Sequence, residues 1–199
     1  MLATALATLT GCAPRSPGAG LPAAQEAPMQ MAAADTVTAS GPPVIQVRDY
    51  PAAASVSVVG WSPEETAYGL HARVARDGTV EGGYRRGDHR LYLSTIYVTH
   101  MGGFLHAVAP SGKMLPRGGV IRDVHACDGG DECAPRETIG VSIPDELLRA
   151  NSDSLVVKFY ATPAREWNVT LRRDLIDAYL QAVDSVAASR RVRQLATPR

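Results

Sequence analysis

Apolar and polar residues alternate along many short stretches between residues 44 and 171. The alternation is strongest over 90–99, where Leu91 and Leu93 fall on one side of an extended chain and Tyr92 and Ile96 on the other. Since side chains of a β-strand point alternately to its two faces, apolar residues on both sides predict a central strand. The same reasoning predicts further strands at 55–61, 68–75, 79–82, 104–109, 120–126, 138–143, 154–162 and 166–171.

Turn signals join two pairs of these stretches. Asp77-Gly78 stands between 68–75 and 79–82, and Pro163-Ala164 stands between 154–162 and 166–171. Residues of these types favour tight turns, so both pairs are expected to form β-hairpins.

Helix signals appear only late in the chain. An early proline followed by two acidic residues predicts a short helix over 144–150. A second helix is predicted over 172–188, where apolar residues recur at the spacing of one helix face. Those residues are Leu175, Ile176, Tyr179, Leu180, Val183 and Val186. We therefore expect a mainly β fold, an antiparallel β-sandwich or barrel-like core, with the short helix and the C-terminal amphipathic helix packed on it.

The N-terminal residues suggest an export and anchoring signal. Residues 2–10 are small or apolar and uncharged, and Leu9-Thr10-Gly11-Cys12 resembles the lipobox of bacterial lipoproteins. The resemblance implies that the leader 1–11 is removed and that acylation of the Cys12 thiol anchors the protein in a membrane. No Lys or Arg precedes the apolar stretch, so we expect the leader to begin further upstream. The resemblance to lipoproteins further implies that Ala13, a residue other than Asp after the cysteine, directs the protein to the outer membrane of a two-membrane bacterium.

Composition divides the remainder of the chain into three parts. Residues 12–43 are rich in Pro, Ala, Gly and Ser, which predicts a disordered tether behind the lipidated cysteine. Residues 44–188 are expected to form a single β-rich globular domain. Residues 189–199 contain several arginines and are expected to form a basic, flexible, solvated tail.

The net charge of the chain indicates which classes of partner to expect. The chain has 20 Lys plus Arg and 20 Asp plus Glu, so its formal net charge is zero. A general nucleic-acid binder normally has a clear basic excess, so no nucleic-acid partner is expected. The sequence also lacks the Gly-x-Ser-x-Gly motif of a nucleophilic serine and the glycine spacing of a phosphate-binding P-loop.

Cys127 and Cys133 enclose a short acidic loop. In an exported protein such a pair is expected to form a disulfide, which contributes roughly 2 kcal/mol for so short a loop. Asp128, Asp131 and Glu132 place three carboxylates in the same loop, a set that a calcium ion could share. Their spacing does not match an EF-hand, and acidic turns are ordinarily solvated, so no metal is expected there.

Three histidines complete the set of candidate ligands. His100 and His106 flank a Gly-Gly break, and His125 stands just before the cysteine loop. A zinc site needs three such groups to converge, and no helical His-Glu-x-x-His motif brings them together. We expect neither a metal nor another cofactor.

Two functional hypotheses follow from these observations. The favoured one is a lipid-anchored envelope protein whose β-domain binds or scaffolds another envelope protein or the cell wall. The alternative is a metal-dependent hydrolase that uses His100, His106, His125 and the acidic loop.

Overall fold

The computed structural model describes residues 35–38, 41–61, 66–96, 103–124, 135–150, 153–162 and 165–196. These residues form eleven strands and two helices. In chain order the strands are β1 (Asp35–Thr38), β2 (Val44–Asp49), β3 (Ala53–Trp61), β4 (Ala67–Ala75), β5 (His89–Ile96), β6 (Gly103–Val108), β7 (Met114–Leu115), β8 (Arg117–Val124), β9 (Pro135–Ile143), β10 (Ser154–Thr162) and β11 (Arg165–Arg172). The helices are α1 (Asp145–Ala150) and α2 (Arg173–Ala196).

The strands form two sheets. The five-stranded sheet has the order β1-β11-β10-β6-β7, and the six-stranded sheet has the order β2-β3-β4-β5-β9-β8. The pairings are antiparallel except that of β1 with β11. The predicted mainly β fold with a C-terminal helix is confirmed, and the described strands do not close into a barrel. The hairpin of β10 and β11 and the central position of β5 are also as predicted.

One apolar core joins the two sheets and α2. Alternate residues of each central strand are buried in it, which contributes about 1.5–3 kcal/mol for each large apolar side chain. Phe104 of β6 packs against Phe159 and Trp167 of the same sheet, with ring centroids 6.2 and 5.2 Å apart. The Tyr68 hydroxyl, on β4 of the six-stranded sheet, donates to the carbonyl of Thr170 on β11 at 3.3 Å. This hydrogen bond links the two sheets directly.

A polar bridge also links the sheets. Glu137 of β9, only 2% exposed, accepts the backbone N–H of Phe104 at 3.2 Å and the Nε–H of Arg122 at 3.1 Å. Arg117 of β8 donates to the carbonyls of Phe104 and Leu105 at 3.2 and 3.0 Å. A buried carboxylate without a partner would lower the free energy of unfolding, so the bond from Phe104 to Glu137 favours the position of β6 beside β9. Together with the bonds from Arg117, it holds β6 close to β8 and β9.

Helix α2 is longer than the sequence predicts. It packs against β2, β3, β4 and β11 and continues to Ala196, eight residues beyond the predicted end. The predicted flexible tail is therefore wrong for 189–196. Arg190, expected in solvent, is buried, because the turn between β2 and β3 covers the helix at that point.

The predicted tether is also partly wrong. Asp35–Thr38 lies within the segment 12–43 that was expected to be disordered, yet it forms β1 alongside β11. The edge of a sheet offers unpaired backbone groups to any extended segment, and this opportunity is independent of side-chain composition. Residues 12–34 lie outside the described residues.

The predicted hairpin of 68–75 with 79–82 is reduced to a turn and one bridge. The turn is present: Gly78 has φ +79°, and the Asp77 carboxylate accepts the N–H of Thr79 at 2.9 Å. After the turn, Val74 and Val80 form an isolated β-bridge. The chain then makes a loop over residues 82–88, in which the N–H groups of Gly82 and Gly83 donate to the carbonyl of Asp88. The neighbours of β4 are instead β3 and β5.

Gly69 of β4 offers a test of the close packing between strands. A Cβ built at Gly69 would lie 2.6 Å from the carbonyl oxygen of Val58 on β3, whereas one at Gly119 of β8 meets nothing within 4 Å. Backbone must move to accept the first methyl group, so we expect Gly69→Ala to lower the free energy of unfolding by about 1–3 kcal/mol. Urea denaturation measures it, with Gly119→Ala as the control. Equal stability of the two variants would contradict this description of the packing.

Candidate functional site

A cavity of about 460 Å³ lies beside the C-terminal part of α2, where the turn between β2 and β3 meets the helix. We refer to it as the arginine pocket. It is lined by Asp49, Tyr50, Pro51, Arg76, Arg190, Arg193 and Gln194.

Arg190 occupies a position where the helix pattern calls for an apolar residue. It follows Val183 and Ala187 at the spacing of the buried stripe and is itself only 6% exposed. Its Nη2 donates to the Asp49 carboxylate and, at 2.6 Å, to the carbonyl of Tyr50. Pairing the guanidinium with these acceptors offsets the cost of removing its charge from water.

Asp49 holds two guanidinium groups at once. Its second carboxylate oxygen accepts from Arg193 Nη1 at 3.1 Å. The hydrogen bonds from Arg190 and then Arg193 hold the pKa of Asp49 below its usual value, so the carboxylate stays ionised at neutral pH. Both arginines are thereby fixed in position at the wall of the pocket.

Positive charge exceeds negative charge in the pocket. Three arginines and one aspartate line it. Arg76 is exposed just after β4, and no ion pair or hydrogen bond of its side chain is found among the described residues. Arg190 Nε is buried and has no acceptor there. The pocket thus retains donors and cationic charge that the described residues do not satisfy.

A smaller cavity of about 180 Å³ adjoins this site along α2. It shares Asp49, Arg190 and Arg193 with the arginine pocket and adds Val47, Val186 and two serines of the helix, Ser185 and Ser189. The surface around the charged groups therefore includes both hydroxyl and apolar groups.

A second polar cluster lies in the core around His89. His89 is completely buried at the start of β5, with Nδ1 3.0 Å from the Tyr179 hydroxyl and Nε2 2.9 Å from Asp145 Oδ1. Arg149 donates from Nε to the other Asp145 oxygen at 2.7 Å and, through its two terminal nitrogens, to Asp184 at 2.9 and 3.1 Å. The cluster connects β5, α1 and α2.

The protonation states in this cluster follow from burial and hydrogen bonding. Burial lowers the pKa of His89 despite the opposing effect of Asp145, and burial raises the pKa of Tyr179. Burial also raises the pKa of Asp145, but the hydrogen bonds from Arg149 and His89 lower it overall. His89 is therefore neutral at pH 7, donating from Nε2 to the Asp145 carboxylate and accepting at Nδ1 from Tyr179.

This arrangement is suited to structure rather than to chemistry on a substrate. Both His89 and Tyr179 are fully buried, and each ring nitrogen already has its partner. No reacting group can approach either nitrogen without opening the core, so we assign the cluster a role in fixing α1 and α2 on the sheet.

The candidate residues from the sequence are only partly within the described residues. His106 lies on β6, with its ring stacked on Tyr160 at a centroid distance of 4.8 Å. The other candidates lie outside the described residues: Cys12, His100, His125, Cys127, Asp128, Asp131, Glu132 and Cys133. In the part of the chain that the structure describes, no three His, Cys, Asp or Glu side chains form a group able to hold a metal ion. Nor does this part contain a helix long and apolar enough to cross a membrane.

Comparisons with protein-family models, with curated proteins and with solved structures found no match to this chain.

Sequence reasoning missed the arginine pocket, although one signal was present. Arg190 continues the helical spacing of Val183 and Ala187, which extends the buried stripe by one turn. The ion pair of Arg190 with Asp49, however, joins residues 141 positions apart. It depends on how β2 lies beside α2, and no local sequence pattern predicts that arrangement.

The neutral state of His89 predicts how stability varies with pH. Unfolding restores its pKa to about 6.5, so as the pH falls through this value the unfolded chain takes up the proton before the folded chain does. Stability must then fall as pH falls from 7 towards 5.5, by at most about 1.4 kcal/mol per pH unit for one proton. We expect His89→Gln to reduce this slope, measured by urea denaturation at several pH values.

The pH measurement needs one comparison variant. Burial and the nearby Arg90 also lower the pKa of His71, so His71→Gln gives the share of that histidine separately. A slope that is unchanged in His89→Gln would contradict the neutral state assigned to His89.

Proposed function

We propose that this chain is an exported lipoprotein, anchored through Cys12, whose β-domain binds a ligand or partner in the cell envelope. The lipobox-like Leu9-Thr10-Gly11-Cys12 supports the anchor. The Pro-, Ala- and Gly-rich composition that follows supports a spacer between the lipid and the domain. The outer membrane of a two-membrane bacterium is the proposed location.

The observation that favours binding over catalysis is the chemistry of the arginine pocket. Its strongly charged groups are three arginines and one aspartate. Arginine does not release a proton near neutral pH, and Asp49 is ionised and already hydrogen-bonded to two arginines. Such groups attract and orient a ligand but are poorly suited to serve as nucleophile or as general acid and base.

The proposed partner belongs to the envelope, either another protein or a component of the cell wall. The net charge of zero argues against nucleic acid as the partner. A lipid anchor would confine the domain near the membrane and so raise its local concentration for partners held on the same surface.

Lipidation can be tested by metabolic labelling with an alkyne analogue of palmitate. We expect the wild-type chain, expressed in a two-membrane bacterium with its natural leader, to be labelled and to sediment with membranes. Cys12→Ala should lose both the label and the membrane association, because it removes the thiol that would be acylated.

The other two cysteines provide a matched control. The double variant Cys127→Ala/Cys133→Ala keeps Cys12 and should be labelled as strongly as wild type. Equal labelling of Cys12→Ala and wild type would overturn the proposed anchor and, with it, the proposed location.

A further inference from the structure

We propose that the arginine pocket binds the phosphate group of an envelope component. This inference rests on the proposed binding function and gives the chemical class of the ligand. It depends on four features of the pocket: its charge, its unsatisfied donors, its pre-arranged geometry and its size.

The charge of the pocket selects an anion. Three guanidinium groups and one carboxylate leave a formal excess of two positive charges. The carbonyl end of α2 opposes this, but a helix terminus is equivalent to only about half an elementary charge. The local excess is therefore positive, although the chain as a whole is neutral.

The unsatisfied donors indicate where the anion is held. The N–H groups of Arg190 that contact Asp49 and Tyr50 belong to Nη2 alone, and its buried Nε has no acceptor among the described residues. A buried donor without an acceptor is unfavourable by about 1–3 kcal/mol. An acceptor could reach this Nε only if neighbouring groups moved, because the atom is closed to solvent. The accessible guanidinium without a described partner is that of Arg76, which lines the pocket from the residue just after β4.

The geometry is arranged before the ligand arrives. Asp49 fixes Arg190 and Arg193 together, and the carbonyl of Tyr50 fixes Arg190 a second time. Binding then orders mainly the exposed side chain of Arg76, which limits the entropy lost. Guanidinium groups suit oxyanions because each can present two parallel N–H groups to two oxygens. Arg76 can do so, whereas both Nη2 hydrogens of Arg190 are taken by Asp49 and Tyr50, so Arg190 and Arg193 contribute mainly fixed positive charge. That charge favours a phosphate monoester, which carries about two negative charges, over a singly charged carboxylate.

The size of the pocket indicates that the phosphate is attached to a larger molecule. A volume of about 460 Å³ exceeds what one phosphate group fills. Tyr50 is 55% exposed at the pocket wall and offers an aromatic ring. Ser185 and Ser189 offer hydroxyl groups in the adjoining cavity. These neighbours suit a phosphate carried on a polyol or sugar, including the headgroup of an anionic phospholipid.

The test uses the full chain with Cys12→Ser, so that no acyl chain contributes to binding. In one arm, glycerol 3-phosphate is titrated in and followed by calorimetry, with glycerol and acetate as comparison ligands. In the second arm, co-sedimentation is measured with vesicles of phosphatidylglycerol or of phosphatidylcholine. Binding of glycerol 3-phosphate points to a soluble or wall-bound phosphate, and binding to phosphatidylglycerol vesicles alone points to a lipid headgroup.

Arg76→Gln is the decisive variant, because it removes one charge from the pocket while its side chain makes no ion pair or hydrogen bond in the described structure. A charge-assisted hydrogen bond contributes enough that its loss should weaken binding about tenfold or more. Arg191→Gln removes the same charge from α2 next to Arg190 but outside the residues that line the pocket, and should change affinity less than about twofold.

Three results would overturn the inference. The first is no binding in either arm. The second is equal weakening by Arg76→Gln and Arg191→Gln, which would indicate general attraction to a basic surface. The third is binding of acetate as tightly as glycerol 3-phosphate, which would remove the preference for phosphate. Failure of Cys12 labelling would remove the assignment of the ligand to the envelope, but phosphate binding by the arginine pocket would still be decided by the titrations, so the two proposals fail separately.

Discussion

The inner face of the six-stranded sheet must be covered across its whole width, and most of the architecture follows from that requirement. The five-stranded sheet contributes to this cover: β6 and β7 approach β8 and β9, and Tyr68 of β4 donates to a carbonyl of β11. Helix α2 contributes as well, because it lies against β2, β3 and β4. Val56, Val58 and Ala72 of the six-stranded sheet share one buried core with the apolar stripe of α2 and with the five-stranded sheet.

The arginine pocket arises where this cover ends. Helix α2 continues past the last apolar position of its stripe, and at the next position, Arg190, the facing chain is a turn and no longer a strand. The turn offers the carbonyl of Tyr50 and the adjoining end of β2 offers the carboxylate of Asp49. A cation therefore satisfies a position where an apolar side chain would contact polar groups. The same geometry that finishes the core thus gathers guanidinium groups at one edge of the domain.

Much of the fold was predictable because its signals are local. The alternation in 154–162 and 166–171 and the turn between them predict the β10–β11 hairpin, and the spacing from Leu175 to Val186 predicts most of α2. Strand β1, by contrast, depends on a free edge of β11, and the single bridge at Val80 depends on β5 taking the place beside β4. Both outcomes are decided by competition between distant segments, which a local pattern does not express.

The distribution of charge at the candidate site could not be predicted from the sequence either. A neutral chain excludes a strong overall field, but 20 positive and 20 negative groups can still be distributed unevenly. Asp128, Asp131 and Glu132 stand together in the cysteine loop of the sequence, whereas Arg76, Arg190 and Arg193 meet at one pocket in the fold. Screening limits exposed charges to interactions over roughly 8–10 Å at physiological salt. A ligand in the pocket therefore responds to the local arginines and not to the net charge, so a single phosphate held there is compatible with a neutral chain. The neutral total bears instead on a polyanion such as nucleic acid, which is bound by an extended surface with a basic excess.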